Sequence, residues 1–192
     1  MKKRPTPPAP CPPRLDDDAV RLKYKISSKA KIIYTDGSSI AQNEKAVSAG
    51  AGVYFADNDP RNLSIRVPGV DQSSGCAELF AVFKALETIH LNHSTKERNI
   101  IIASDYLSGV EELSKRSGSG KRKLFQRYKE LFERMMALVR ELAESEDKIQ
   151  ITFQYVPGHK GILGNMAADR LARDGAKRPQ TDEMSWEDNL GI

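Results

Sequence analysis

Residues 31–38 read KIIYTDGS, an apolar run that ends in an acid followed by glycine. β-Branched and aromatic residues favour a strand, which is predicted over Lys31–Thr35 with Asp36 at its end. Two further strands are predicted over Gly50–Phe55 and Asn62–Val67, because turn-forming residues separate the three runs. The short connections indicate an antiparallel meander.

The spacing of apolar residues changes after the third strand. From Glu78 onward it is helical, and the compact run Asn99–Ala103 predicts a buried strand parallel to the first. A short helix is expected over residues 106–113. The clearest helical stripe covers Lys121–Glu144, with apolar residues in alternating steps of four and three.

The last elements complete an α/β pattern. Ile149–Val156 alternates apolar and polar residues, which predicts a half-exposed edge strand. Asn165 is expected to cap a final helix that ends near Gly175. The order βββαβααβα predicts a mixed five-stranded sheet with helices on its faces.

The two ends of the chain differ from its middle. The length of 192 residues favours one domain with tails. Residues 1–30 hold most of the ten prolines and many bases, which predicts a disordered arm. The domain is then expected over residues 31–177, and an acidic flexible tail over 178–192. Two cysteines in unlike contexts, no membrane-length apolar run and no secretory signal favour an intracellular location, nucleus or cytoplasm.

Four acids lie in settings that would aim them at one point, namely Asp36, Glu78, Asp105 and Asp169. They follow predicted strands or lie on predicted helices, and carboxylates from separate elements are what a magnesium site needs. Basic segments beside them suit a polyanionic substrate, so the pattern indicates a metal-dependent nuclease. Taken singly, Asp36 is also explained as a turn former, Glu78 as a helix-dipole partner and Asp105 as a helix cap.

The blocks around these acids resemble type 1 ribonuclease H. They are YTDGS at 34–38, AEL at 77–79, SD at 104–105, and the long stretch from VPGHKG at 156–161 to ADRLA at 168–172. They occur in the family's order, across roughly residues 31–176. The final block is the most specific of them.

The resemblance implies a fold, a reaction and a set of roles. The expected reaction is hydrolysis of the RNA strand of RNA–DNA hybrids with two Mg²⁺ ions, Mn²⁺ being an alternative, to leave 5′-phosphate and 3′-hydroxyl ends. Asp36 would bridge both ions, with Glu78 and Asp105 on one side and Asp169 on the other. Glu78 would also contact a ribose 2′-hydroxyl. His159 would be the family's mobile histidine, which aids proton transfer or product release.

Substrate contacts are less specific. The resemblance implies contacts from Gly37, Ser38 and Ser74, and phosphate contacts are expected from the basic residues Lys115, Arg116, Lys121, Arg122 and Lys123. A solvated helix start is the alternative explanation for the basic residues. The expected partner is the hybrid, with the protein a monomer that needs no membrane and no small-molecule cofactor.

The chain also departs from the family. Residues 73–76 read SSGC where many members have an asparagine, and Tyr106 stands where many have a small polar residue. The Trp-containing basic protrusion and the N-terminal hybrid-binding module are not evident, which indicates a retroelement-like variant. Two other functions stay open: a nuclease acting on other nucleic acids, and a catalytically silent hybrid-binding domain.

Overall fold

A computed structural model describes residues 14–42, 45–92, 97–114 and 123–180 of the chain. Within these ranges the elements run in the order α1 (Asp17–Tyr24), β1 (Lys31–Gln42), β2 (Lys45–Tyr54), β3 (Leu63–Arg66), α2 (Ser74–Asn92), β4 (Asn99–Ser104), α3 (Leu107–Ser114), α4 (Lys123–Arg127), α5 (Lys129–Glu144), β5 (Gln150–Tyr155) and α6 (Leu163–Ala176). The predicted acidic tail from residue 181 onward lies outside the described residues.

The five strands form one mixed sheet in the order β3-β2-β1-β4-β5. β1, β2 and β3 pair antiparallel, while β4 pairs parallel to both β1 and β5. The predicted meander, the parallel β4 and the edge position of β5 are therefore confirmed. β1 lies at the centre, so side chains that project from it meet elements on both faces.

Each face of the sheet carries its own apolar core. On one face α2 and α5 pack over a cluster that includes Ile33, Leu86 and Met135. α2 is buried along most of its length, which explains its run of apolar and small residues. On the other face a smaller cluster joins Tyr34, Val20 and Ala168 beneath α1 and α6. The two clusters fix the helices around β1.

The expectation of a disordered arm through residue 30 is wrong for residues 14–30, which include α1. The Asp16 side chain accepts a hydrogen bond from the Ala19 N–H over 3.0 Å and so caps this helix. Val20 is fully buried in the smaller cluster, and the Tyr34 hydroxyl donates to Asp17 over 2.8 Å. Composition alone misled, because the prolines end at residue 13 and the remaining segment has an apolar residue to bury. Residues 1–13 lie outside the described residues.

The first strand is longer than predicted. β1 continues through Asp36 to Gln42, because β2 pairs with this whole stretch and Asp36 lies opposite Gly52. Asp36 is thus in the middle of a strand and does not end one. Its neighbour Gly37 has no side chain, which lets the backbone of α2 pack directly against the strand.

Three helix boundaries also differ from the predictions. α2 begins at Ser74, four residues before Glu78. The predicted helix over 121–144 is divided at Tyr128, whose backbone leaves the helical region and whose hydroxyl donates to Asp71 over 2.9 Å. Asn165 is not a cap: Ile162 occupies the N-cap of α6, and Lys177 rather than Gly175 is at its C-cap. Among the described residues, no helix is long and apolar enough to cross a membrane.

Candidate metal centre

Three of the four predicted acids meet at one edge of the sheet. Asp36 lies in β1, Glu78 in the second turn of α2, and Asp105 directly after β4. One carboxylate oxygen from each lies within 4.8 Å of the other two. The parallel register aligns Thr35 with Ser104, so the residues that follow them reach the same level of the sheet. We call these three residues the acid cluster.

Two glycines permit this close approach. A Cβ atom at Gly37 would lie 2.8 Å from the Cα of Glu78 and closer still to its backbone nitrogen. A Cβ atom at Gly158 would overlap the Asp105 carboxylate. Larger residues at either position would push α2 or the loop after β5 away from the cluster. Gly37 was predicted as a substrate contact, and its observed contact is with the helix that carries Glu78.

Burial and mutual repulsion dominate the electrostatics of the acid cluster. Asp36 and Glu78 are 6% and 7% exposed. The pKa of Asp36 is raised to about 7, chiefly by burial and then by the negative charges of Asp105 and Asp169. Burial likewise raises the pKa of Glu78 well above its ordinary value, with Asp36 the next cause. The cluster therefore holds protons strongly unless positive charge is placed among the carboxylates.

The donor set fits a hard divalent cation. All three ligand candidates offer oxygen, the ligand type that Mg²⁺ and Mn²⁺ take from proteins. Glu78 Oε2 is buried without a hydrogen-bond partner among the described residues. A buried carboxylate oxygen without a donor is costly, and a cation would supply the missing interaction. The cluster can therefore bind a divalent metal ion.

Asn165 joins this site although sequence reasoning assigned it to a helix cap. Its Nδ2 donates to Asp105 Oδ2 over 3.1 Å, while its own Oδ1 is buried without a hydrogen-bond partner among the described residues. The bond orients Asp105. A signal was available, because Asn165 lies one helical turn before Asp169 and therefore shares its face of α6.

Asp169 stands beside the acid cluster and is not one of its three members. Its carboxylate pairs with Arg173 Nε one turn later on α6, over 3.0 Å. Its charge nevertheless contributes to the raised pKa of Asp36, so it lies close enough to act on the site. The structure thus brings three acids together and leaves the fourth at their margin.

His159 is exposed at the tip of the loop after β5. Its backbone φ of 53° is left-handed, and Gly161 follows with φ of 79°. His159 and Asp169 line one groove of about 560 Å³, together with Arg14 and Arg170. This open position leaves the imidazole free to meet a ligand at the edge of the acid cluster.

Most of the predicted substrate contacts lie at the surface or beyond the described residues. Ser38 is half-buried in β1, while Ser74 and Lys123 are exposed at the starts of α2 and α4. The other four basic candidates, Lys115, Arg116, Lys121 and Arg122, lie outside the described residues. Their roles stay predictions.

Tyr106 is a further residue of the site. Its hydroxyl would lie 3.1 Å from a Cβ atom on Gly75, so the ring reaches the first turn of α2. Burial raises its pKa, with the charge of Glu78 the next cause. A methyl group at Gly75 would crowd only the hydroxyl end of this side chain. Two departures from the expected family pattern therefore lie next to each other beside the acid cluster.

Comparison with known protein sequences agrees with this geometry. The family model described as RNase H matches residues 28–177. Ribonuclease H of Schizosaccharomyces pombe is 31% identical over 149 residues, which cover 78% of this chain and 54% of that protein. Ribonuclease H1 of Homo sapiens is 33% identical over 159 residues, covering 78% and 51%. The chain spans about half the length of these curated relatives.

Solved structures share the fold. LC11-RNase H1 has a TM-score of 0.54 at 21% identity, over 77% of this chain and 96% of that one. The same enzyme in complex with an RNA/DNA hybrid gives 0.53 at 22% identity, over 76% and 95%. The prototype foamy virus protease-reverse transcriptase gives 0.55 at 22%, over 78% of this chain and 21% of that one. At these identities the likeness shows the fold alone.

Proposed function

Because the chain belongs to the RNase H family, we propose that it is an endoribonuclease that hydrolyses the RNA strand of RNA–DNA hybrids. The observation that carries this proposal is the oxygen-only cluster of Asp36, Glu78 and Asp105, buried where carboxylates without a cation would be costly. The proposed products carry 5′-phosphate and 3′-hydroxyl ends. The hybrid in the LC11-RNase H1 complex supports the choice of substrate.

We assign the metal ligands to Asp36, Glu78, Asp105 and Asp169. Two Mg²⁺ ions, or Mn²⁺ in their place, would activate the attacking water and stabilise the leaving oxygen when bound. Asp36 would be the candidate to hold both ions, because Glu78, Asp105 and Asp169 all act on its pKa. Such cations would favour the ionised forms of Asp36 and Glu78, whose pKa values are raised by burial and by neighbouring negative charge.

The remaining residues orient groups or move protons. Asn165 is proposed to orient the Asp105 carboxylate toward the metal through its Nδ2 donor. His159 is proposed to exchange a proton with the phosphate oxygens of the cleaved strand or to aid product release, since its imidazole is exposed beside Asp169. Glu78 is proposed to meet the ribose 2′-hydroxyl as well. The segment around Lys123 is proposed to contact phosphates.

The boundaries and setting of the domain are proposals too. The catalytic domain is proposed over residues 31–177, with α1 as an integral addition because Val20 is buried against its sheet. We propose a monomer that acts inside the cell, in nucleus or cytoplasm, without a small-molecule cofactor.

A cleavage assay tests the activity directly. Labelled RNA–DNA hybrid, RNA duplex and DNA duplex are incubated with the protein in Mg²⁺ or in EDTA. We expect the protein to cleave the hybrid in Mg²⁺ and not in EDTA. Asp36→Asn should abolish this cleavage and leave hybrid binding largely intact. Asp18→Asn is the matched control, because Asp18 is an exposed acid of α1 and is not a member of the acid cluster. Cleavage of DNA duplex but not of hybrid would overturn the proposal.

The second candidate is a silent hybrid-binding domain. The ion pair between Asp169 and Arg173 favours this alternative. Asp169 is the acid expected to complete the second metal site, and its carboxylate is engaged by Arg173 instead. Tight hybrid binding without cleavage in either Mg²⁺ or Mn²⁺ would establish this alternative.

A further inference from the structure

The N-terminal segment bonds to the loop that carries His159. Leu15 forms a parallel bridge with Ile162. The Leu15 N–H donates to the Gly161 carbonyl over 2.8 Å, and the Leu163 N–H donates to the Leu15 carbonyl over 2.9 Å. A single residue therefore holds the backbone on both sides of Ile162, where the loop ends and α6 begins.

The segment is itself attached firmly to the sheet. We call residues 14–26 the N-terminal strap. Val20 is fully buried against Ile32 and Tyr34, and the Tyr34 hydroxyl donates to Asp17. Arg21 closes the strap with hydrogen bonds of 2.8 Å to the Ser27 carbonyl and 2.7 Å to the Ala30 carbonyl. The strap is therefore a rigid support on which the loop can rest.

The opposite end of the loop is tied to the acid cluster. The Val156 N–H donates to the Ser104 carbonyl over 3.0 Å, and Gly158 lies against the Asp105 carboxylate. His159 stands between these two attachments with a left-handed backbone, a conformation that is costly for a residue with a side chain. Such a conformation persists only where the surrounding contacts hold it. Leu15 supplies those contacts on the side of Gly161.

We propose that Leu15 is a positioning residue: its main chain holds the His159 loop so that the imidazole faces the groove beside the acid cluster. The inference rests on the proposed function for its consequence in catalysis. Arg14, His159, Gly161 and Asp169 line the same groove, so the strap forms part of its wall. Loss of the Leu15 bond lets His159 leave its position without removing any group that touches the substrate.

Two substitutions at one position separate the main-chain bond from side-chain packing. Leu15→Pro removes the N–H that donates to Gly161, whereas Leu15→Ala keeps both main-chain bonds and shortens only the side chain. The strap stays attached in both variants through Val20 and Asp17. We expect Leu15→Pro to lower kcat about fivefold relative to Leu15→Ala, with KM changed less than about twofold.

Repeating the substitution in a His159→Ala protein shows whether the effect of Leu15→Pro on kcat depends on His159. In a His159→Ala protein, Leu15→Pro should change kcat less than about twofold, because the group that it positions is gone. An equal loss of kcat in both backgrounds would mean that Leu15 has only a structural role, and the inference would be overturned. So would a Leu15→Pro variant with unchanged kcat.

Hydrogen exchange tests the inference independently of cleavage. In the unsubstituted protein the amides of Leu15 and Leu163 should exchange slowly, and Leu15→Pro should speed exchange at Leu163 while leaving the interior of α2 unchanged. Fast exchange at Leu163 in the unsubstituted protein overturns the strap contact. If the protein cleaves no hybrid but this protection is observed, the proposed function fails and the contact between strap and loop stands.

Discussion

Asn165 donates a hydrogen bond from its side-chain nitrogen to the Asp105 carboxylate over 3.1 Å, although the two residues are 60 positions apart in the chain. The bond joins the first turn of α6 to the end of β4. It leaves the Asn165 carbonyl oxygen buried without a hydrogen-bond partner among the described residues. Burying this unpaired oxygen costs free energy, which indicates that the Asn165 amide has a role in orienting Asp105.

Asn165→Ala should weaken metal binding with little loss of stability. Removing the donor frees the Asp105 carboxylate to rotate, while removing the unsatisfied carbonyl offsets the lost hydrogen bond. We expect the Mg²⁺ concentration for half-maximal cleavage to rise about tenfold. Asn92→Ala, at the exposed end of α2, is the matched control and should leave the Mg²⁺ dependence unchanged. Equal Mg²⁺ dependence in the two variants would contradict the role given to Asn165.

Gly37→Ala should unfold the protein more readily and displace Glu78. The added methyl group would overlap the backbone of Ala77 and Glu78, which cannot move without shifting α2. We expect a loss of more than about 2 kcal/mol in the free energy of unfolding, measured by urea denaturation. Gly75→Ala is the comparison, because its methyl group would meet only the end of the Tyr106 side chain, and it should be close to neutral. A Gly37→Ala protein as stable as the Gly75→Ala protein would show that α2 can move away from β1.

The metal-free protein should lose stability as pH rises. Burial, together with the charges of Asp105 and Asp169, raises the pKa of Asp36 from 3.8 to about 7, so the folded protein binds a proton that the unfolded chain has released. The contribution of Asp36 to stability is then full below about pH 4 and is lost as pH rises through about 7, by a few kcal/mol. Urea denaturation in EDTA across this range measures the decline, and saturating Mg²⁺ should remove much of it.

Asp36→Asn should reverse this dependence in part. It removes the central negative charge, so the variant should be more stable than the unsubstituted protein in EDTA near pH 8. The same substitution is expected to abolish cleavage, which separates stability from activity at this position. If the unsubstituted protein became more stable in EDTA as pH rises, the raised pKa given to Asp36 would be contradicted.

Val20→Ala tests whether α1 belongs to the folded domain. Val20 lies on the buried face of α1 and is fully buried, while Leu22 on the same helix is 85% exposed. We expect Val20→Ala to lower the free energy of unfolding by about 2 kcal/mol, and Leu22→Ala by less than about 0.5 kcal/mol. Similar small effects for both variants would mean that α1 contributes little to stability.

The sheet and the identity of the acids were accessible from sequence because each depends on local pattern. Strand and helix periodicities predicted the order of the strands along the chain and the parallel direction of β4, both confirmed. Periodicity did not show that β1 continues through Asp36, because that extension depends on pairing with β2 across residues 36–42. The sequence prediction also missed α1. The high proline content of the N-terminal segment suggested disorder, and a single buried valine gave too weak a helical pattern to correct it.

What the sequence by itself determined is the chemical inventory: oxygen ligands, a histidine between glycines, and basic segments around a foldable core. Only the tertiary structure decided which of these groups meet. It joined Asp105 to Asn165, fitted Tyr106 against Gly75, set Asp169 beside Arg173 and attached Leu15 to the His159 loop. The physical reason is that such contacts depend on the register of paired strands and on where a glycine lets two backbones approach. Neither leaves a periodic signal in the chain.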